Sequence, residues 1–374
     1  MAWLTATYHV AAPRERVEAR ARALALEQSV ECPLEAIGER RILDEIVAQV
    51  GGIEHVGPEL FRVEIRLATQ TLGGDTAQLL NMLFGNASLF DDVEFVDVAL
   101  PDDVLAGFTG PRHGIEGIRA LVGARERPLT NVALKPQGLG VPELAAMART
   151  FALAGVDIIK DDHGIVDQGY SPFAERIPAL QAAVEQAVAT TGRPAFYAPN
   201  VSGTPRDMHL RATIARDAGC RVVLVAPMLV GLPAFRELVD DFPEFVYLAH
   251  PSFGGARRIA PPLLYGKLFR LFGADAVIFV NYGGRFAYEP ETCAALAANL
   301  RAPWAHLRAA LPVPAGGMFL ERVDELLDFY GPDSMLLIGG NLLIARERLL
   351  ERSREFVSAV ERHEFRKTVS AAPA

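Results

Sequence analysis

Cysteine is scarce in this chain: Cys32, Cys220 and Cys293 are spread along 374 positions. So few and so scattered, they build neither a disulfide framework nor a zinc cluster, and they read as reduced thiols. Positive charge is also short. Lys and Arg total 37 against 46 Asp and Glu, a formal charge of −9. That balance removes the basic face a general nucleic-acid binder needs. Small anionic substrates stay open, because a local site can oppose the global charge. Long apolar runs are missing too. The longest uncharged stretch, 76–90, carries Thr, Gln, two Asn and Ser, and is too short and polar to span a bilayer. The opening Met1-Ala-Trp-Leu lacks the basic and apolar regions of a secretory signal. The expectation is a cytoplasmic protein with no nucleic-acid or membrane partner.

What the chain does have is apolar mass, 50% of residues against 22% charged, enough for a large core and against disorder. From about residue 120, short runs rich in Val, Ile, Leu or Ala recur at 131–136, 156–160, 195–199, 221–227, 246–250, 276–281, 311–315 and 335–339. Each is too short for a typical helix and reads as a parallel strand buried on both faces. Amphipathic stretches alternate with them at 142–154, 172–189, 205–218, 233–241, 261–272, 290–307 and 320–329, and a last one runs from 342 to about 361. Several open on Pro and several end in Gly, as helices do. The alternation predicts an α/β chain with a C-terminal (β/α)8 TIM barrel over 116–365. A doubly wound sheet fits less well, since no glycine-rich dinucleotide loop follows a first strand. Residues 1–115 differ: strand-like alternation at 5–10, 60–67 and 93–100 flanks helical runs at 14–28 and 76–84. This predicts a small α+β, ferredoxin-like domain. A short Ala-rich tail, 366–374, follows the barrel.

A barrel of this kind carries its active site at the carboxyl ends of its strands. Lys135-Pro-Gln137-Gly stands there after the first strand and Lys160-Asp161-Asp162-His163-Gly164 after the second. His250 closes the fifth strand, the pair Gly316 and Gly317 the seventh, and Gly339, Gly340 and Asn341 the eighth. A lysine at the mouth can be a Schiff-base nucleophile, a general base or, once carbamylated, an anionic metal ligand. The adjoining Asp161, Asp162 and His163 suit Mg²⁺, and the imidazole extends the choice to Mn²⁺. A structural ion pair across the mouth is the bland reading. The glycine pairs expose backbone N–H groups where this fold frequently holds phosphate, so a phosphorylated small molecule is the expected substrate.

Several motifs occur in order: Phe84-Gly85-Asn86, Gly110-Pro-Arg-His113-Gly-Ile115, Leu134-Lys135-Pro-Gln-Gly, Gly155-Val-Asp-Ile-Ile-Lys160-Asp-Asp162-His163, Ala249-His250, Gly254-Gly255, Pro314-Ala-Gly316-Gly317 and Phe329-Tyr-Gly-Pro-Asp-Ser-Met-Leu-Leu-Ile-Gly339-Gly340. With them the chain resembles the large subunit of ribulose-bisphosphate carboxylase/oxygenase, and more closely the RuBisCO-like proteins, over nearly its whole length. The resemblance implies a carbamate of CO2 on Lys160, a Mg²⁺ held by Lys160, Asp162 and His163, and proton transfer by Lys135. It implies phosphate held by Gly316, Gly317, Gly339, Gly340 and Asn341, with His250 also catalytic. Glu27 and Asn86 would come from the partner subunit of a homodimer whose active sites lie at the interface.

The same resemblance carries departures. His163 stands where the family has a metal-binding carboxylate, and Gln137 where it has a second lysine. Pro251 replaces the arginine that carboxylases use for a second phosphate, and the loop 281–288 lacks the lysine that positions CO2. These departures imply a non-carboxylating enzyme that enolises a phosphorylated keto-sugar through a metal-stabilised enediolate. The leading expectation is an isomerase or enolase of the 5-methylthioribulose-1-phosphate type. A decarboxylase or transcarboxylase/hydrolase of a branched keto-sugar acid phosphate is the alternative. A Schiff-base aldolase and a non-catalytic sugar-phosphate sensor are the other two.

Overall fold

The computed structural model describes residues 2–256, 258–284, 286 and 288–365. The expected tail 366–374, and Arg285 and Ala287 of the loop 281–288, lie outside the described residues. The chain divides into two compact units. The first runs to Thr109 and includes Phe253–Leu268; the second comprises Gly110–Ser252 and the chain from Phe269 onward.

Four strands build the first unit: β1 (Trp3–Ala11), β2 (Gln49–Gly57), β3 (Leu60–Ala68) and β4 (Val93–Ala99), in the order β2-β3-β1-β4. All three pairings are antiparallel. Leu4, Ala6, Tyr8 and Val10 of β1 are fully buried, the two-residue period of a strand with one face on a core. The helix Val17–Glu27 buries Val17, Ala21, Leu24 and Ala25 at helical spacing. Strand β2 is absent from the sequence reading. It is a largely exposed edge strand carrying Gly51 and Gly52, with register shifts at Val50/Gly52 and His55/Gly57, so no apolar alternation marks it.

The expected boundary after residue 115 moves to 109/110, and 253–268, expected in the barrel, groups with the first unit. The cause is backbone pairing. Phe95 of β4 donates to the Arg258 carbonyl at 3.0 Å, and Ala260 donates to the Phe95 carbonyl at 2.9 Å. The single helix expected over 261–272 is correspondingly broken into Pro261–Leu263, a π turn at Leu264–Leu268, and Phe269–Leu271.

Among the described residues the second unit holds eight parallel strands: β5 (Leu129–Leu134), β6 (Ile158–Asp161), β7 (Phe196–Ala198), β8 (Val222–Val225), β9 (Val246–Ala249), β10 (Ala276–Val280), β11 (Leu311–Ala315) and β12 (Met335–Ile338). They form two four-stranded sheets, β12-β5-β6-β7 and β11-β10-β9-β8. One parallel bridge, Asn200 to Leu224, joins the sheets at one seam, and β11 lies beside β12 at the other. This is the cyclic order of the expected barrel. One apolar cluster draws on every strand, through Leu129, Ile158, Ala198, Leu224, Leu248, Ile278, Val313 and Leu337. Such a shared interior is how a (β/α)8 barrel fills its centre. The helix Gly114–Val122 adds Ile118 and Val122 to the cluster, and Asp275 anchors that helix by accepting from the backbone N–H groups of His113 and Gly114 at 2.7 Å each.

Helices follow the strands, but the one expected from 342 to about 361 is split into Gly340–Leu343 and Leu349–Arg362, and the one expected over 290–307 ends at Arg301. Val141–Ala154 closes on Gly155, whose φ of 89° only glycine adopts without strain. No helix among the described residues is long and apolar enough to cross a membrane.

Candidate active site

Strand β6 presents the central residues, and its two-residue period sorts them. Lys160 and Asp162 stand on one face, 2% and 3% exposed, and Asp161 on the other. The Asp161 carboxylate accepts from the Tyr197 hydroxyl at 2.7 Å, the Asn200 backbone N–H at 3.0 Å and the Arg176 guanidinium at 3.2 Å. It is therefore a buried structural anchor, and the expectation that Asp161 joins a metal site is corrected. Arg176, like Asp161, is fully buried. Asp161→Asn leaves that guanidinium without its counter-charge, and a stability loss of about 3–5 kcal/mol is expected, read as a lower urea midpoint.

The other face is the candidate site. Lys160 Nζ donates to the Asp161 carbonyl at 3.0 Å. Burial lowers its ammonium to about 8, with the Asp162 charge opposing and the Lys135 charge adding to the shift. Lys135, at the end of β5, ion-pairs with Asp162 Oδ2. That oxygen is otherwise buried without a hydrogen bond of ordinary geometry. Asp162 Oδ1 accepts from the Gly164 backbone at 3.1 Å and lies 3.5 Å from His163 Nδ1. Burial alone would raise the Asp162 carboxyl; its hydrogen bonds to His163 and Lys135 and the Lys160 charge outweigh that and hold it well below the usual carboxylate range.

His163 stacks on His250 with ring centroids 4.3 Å apart and planes 12° from parallel. His250 stays well below the ordinary imidazole range, first through burial and then through the charge of Lys160. Asn200 completes the arrangement: its Nδ2 donates to the carbonyls of His163 at 2.9 Å and Ile165 at 3.2 Å, fixing the loop that carries His163. Asn200 is given no role in the sequence analysis.

The glycine pairs follow β11 and β12, and β12 pairs with β5. A Cβ on Gly339 would stand 3.8 Å from Lys135 Cε. Gly316 and Gly317 both take left-handed conformations, φ 89° and 74°. Gly340 opens the short helix Gly340–Leu343. Asn341 is engaged elsewhere: its Nδ2 donates to the Met318 carbonyl at 2.6 Å, tying the loop after β12 to the loop after β11. In the first unit, Glu27 and Asn86 meet each other, Asn86 Nδ2 donating to Glu27 Oε1 at 2.9 Å. Their neighbour Gln28 braces the same turn through the Met82 carbonyl and the Ala87 N–H. So Lys135, Lys160, Asp162, His163 and His250 come together with Gly339 in one unit, and Glu27 with Asn86 in the other. Outside both groups, His209, Glu237 and Asp241 also converge, but all three are exposed and His209 pairs with Asp241 at 2.9 Å.

As chemistry, the mouth offers a desolvated amine, a buried carboxylate ion-paired with Lys135 and two imidazoles. Asp162 Oδ2 and the imidazole of His163 are donors of the type a hard divalent cation takes.

Residues 114–343 match the family described as ribulose bisphosphate carboxylase large chain, catalytic domain. The chain is 53% identical to ribulose bisphosphate carboxylase-like protein 1 of Rhodopseudomonas palustris, covering 96% of this chain and 97% of that one. It is 51% identical to the 5-methylthioribulose-1-phosphate isomerase of Rhodospirillum rubrum, covering 96% of each. Among solved structures, a Rubisco-like protein from Rhodopseudomonas palustris superposes with a TM-score of 0.91 at 50% identity, over 97% of this chain and 99% of that one. Lysine, carboxylate and glycine pairs at the ends of four parallel strands, and similarity on this scale, have one explanation: the chain belongs to the ribulose bisphosphate carboxylase large-chain family, among its RuBisCO-like members.

Proposed function

We propose that the protein is a non-carboxylating isomerase of the enolising type, acting on a phosphorylated keto-sugar of the 5-methylthioribulose 1-phosphate class. The observation that carries this is 51% identity over 96% of both chains to an enzyme named for that reaction. The site supports it. A ketose isomerisation needs a base to take the proton next to the carbonyl and return it at the neighbouring carbon. Lys135 supplies that base at the end of β5. In this reading the backbone N–H groups of Gly316, Gly317, Gly339 and Gly340 hold the phosphate, and the closeness of Gly339 to Lys135 supports it. No other reactant enters: one C–H bond breaks, another forms, and the electron pair moves through an enediolate.

Lys160, as its carbamate, with Asp162 and His163 would hold Mg²⁺ or Mn²⁺; the buried Asp162 carboxylate and the His163 imidazole are donors that suit such an ion. When bound, the ion polarises the carbonyl and lowers the barrier to enolisation. In a homodimer, Glu27 and Asn86 of one subunit would complete the partner's site, their mutual hydrogen bond holding both side chains in place.

The test is a proton NMR assay of 5-methylthioribulose 1-phosphate with Mg²⁺ and bicarbonate in D2O. Isomer formation with deuterium at the transferred position is expected. With ribulose 1,5-bisphosphate and labelled bicarbonate, no acid-stable label is expected, since Pro251 stands where an arginine would grip a second phosphate. Label in 3-phosphoglycerate, or an unchanged keto-sugar, overturns the reading.

A further inference from the structure

His250 is followed by a feature that the proton-transfer scheme above leaves unused. The backbone N–H of Ser252 donates to His250 Nδ1 at 3.2 Å, and the Ser252 hydroxyl lies 2.8 Å from the same nitrogen. A backbone amide can only donate. The nitrogen it addresses must therefore carry a lone pair. An imidazolium has N–H at both nitrogens, and the Nδ1–H tautomer would set two N–H groups against each other. Only the neutral Nε2–H tautomer satisfies the contact. In that form the Ser252 hydroxyl donates as well, so Nδ1 receives two hydrogen bonds.

We propose that the backbone N–H of Ser252, with its hydroxyl as a second donor, locks His250 as its Nε2–H tautomer, so that His250 serves the reaction as a fixed hydrogen-bond donor and not as a proton acceptor. The stack on His163, 4.3 Å between centroids and 12° from parallel, prevents the ring from turning over and exchanging its two nitrogens. A donor held this way meets a substrate oxygen that gains charge during enolisation, and reorganises nothing as it does so. The assignment also divides the work of the mouth: with His250 restricted to donating, the proton on carbon falls to Lys135.

The tautomer is read directly from the substrate-free, full-length protein labelled with ¹⁵N-histidine, by long-range ¹H–¹⁵N correlation, with the His250 signals identified by their loss in His250→Gln. A pyrrole-like Nε2 and a pyridine-like Nδ1 are expected, and Ser252→Ala is expected to shift Nδ1 while the amide keeps the tautomer. A pyrrole-like Nδ1, or two protonated nitrogens at neutral pH, overturns the proposal. The functional half rests on the isomerase reading and is measured on 5-methylthioribulose 1-phosphate. His250→Gln places an amide N–H near the Nε2 position and cannot act as a base; it is expected to retain at least tenfold more kcat than His250→Ala. Equal loss in both variants, with wild-type protein active, overturns the donor role. Inactive wild-type protein with the expected spectrum fails the substrate reading alone.

Discussion

Lys160→Met is expected to abolish turnover, a fall of at least about 10³-fold, without lowering the unfolding temperature. The two halves have one cause. Lys160 is 2% exposed, and burial brings its ammonium down to about 8. An unfolded lysine titrates near 10.5, so between about 8 and 10.5 the unfolded chain binds the extra proton and stability rises with pH. Below about 8 both states are protonated and the full cost of burying the charge applies, which a methionine of similar shape removes. The same shift prepares the amine for CO2. At pH 7.5, roughly a quarter of a group with a pKa of 8 is neutral, against about 0.1% at 10.5. In the proposed carbamylation the neutral amine would attack CO2, forming an N–C bond, releasing one proton to solvent and leaving a carbamate anion. Protein stripped of CO2 and divalent ions should thus regain activity on adding both, at a rate that climbs with pH through about 8. Full activity in Lys160→Met, or activity indifferent to chelator and to CO2 removal, would falsify the assignment.

How much of this was legible in the sequence depends on whether a residue's meaning is local. Lys135 and Lys160 stand out because a charge ending a run of buried aliphatics has few bland explanations, and both fall at the ends of their strands, β5 and β6. The glycine pairs are legible for the same reason. Asp161 was misread because three polar residues in a row look like one cluster. The strand period separates them, and the pairing of β6 with β7, which sets Lys160 opposite Ala198, brings Tyr197 and Asn200 to Asp161. Those contacts link residues 36 and 39 positions apart, and no local pattern announces them. Ser252 was passed over because a serine two residues after a histidine carries no signal until the backbone turns its N–H onto the ring. Segment 253–268 has the Pro-led apolar texture of a barrel helix; what assigns it to the first unit is the bridge between Ile259 and Phe95.

In Lys135→Met, exchange of the proton next to the substrate carbonyl is expected to fall ~10²–10⁴-fold while affinity for the keto-sugar phosphate changes only a few-fold. The phosphate contacts assigned to Gly316, Gly317, Gly339 and Gly340 are backbone and survive the substitution. The competing account is visible in the structure: Lys135 ion-pairs with buried Asp162 and would then serve only as its counter-charge. Lys135→Arg separates the two. A guanidinium keeps the positive charge and pairs with a carboxylate at least as well as an ammonium does, but it stays protonated and cannot take a proton from carbon. If Lys135 is the base, the arginine variant binds the keto-sugar phosphate, unfolds at the wild-type temperature and exchanges no faster than Lys135→Met. If Lys135 is only a counter-ion, arginine restores exchange to near the wild-type rate, and the proton must then be taken by another group at this mouth. Exchange and affinity measured on one preparation of each variant decide it, because a base and a counter-ion differ in the one property that arginine lacks.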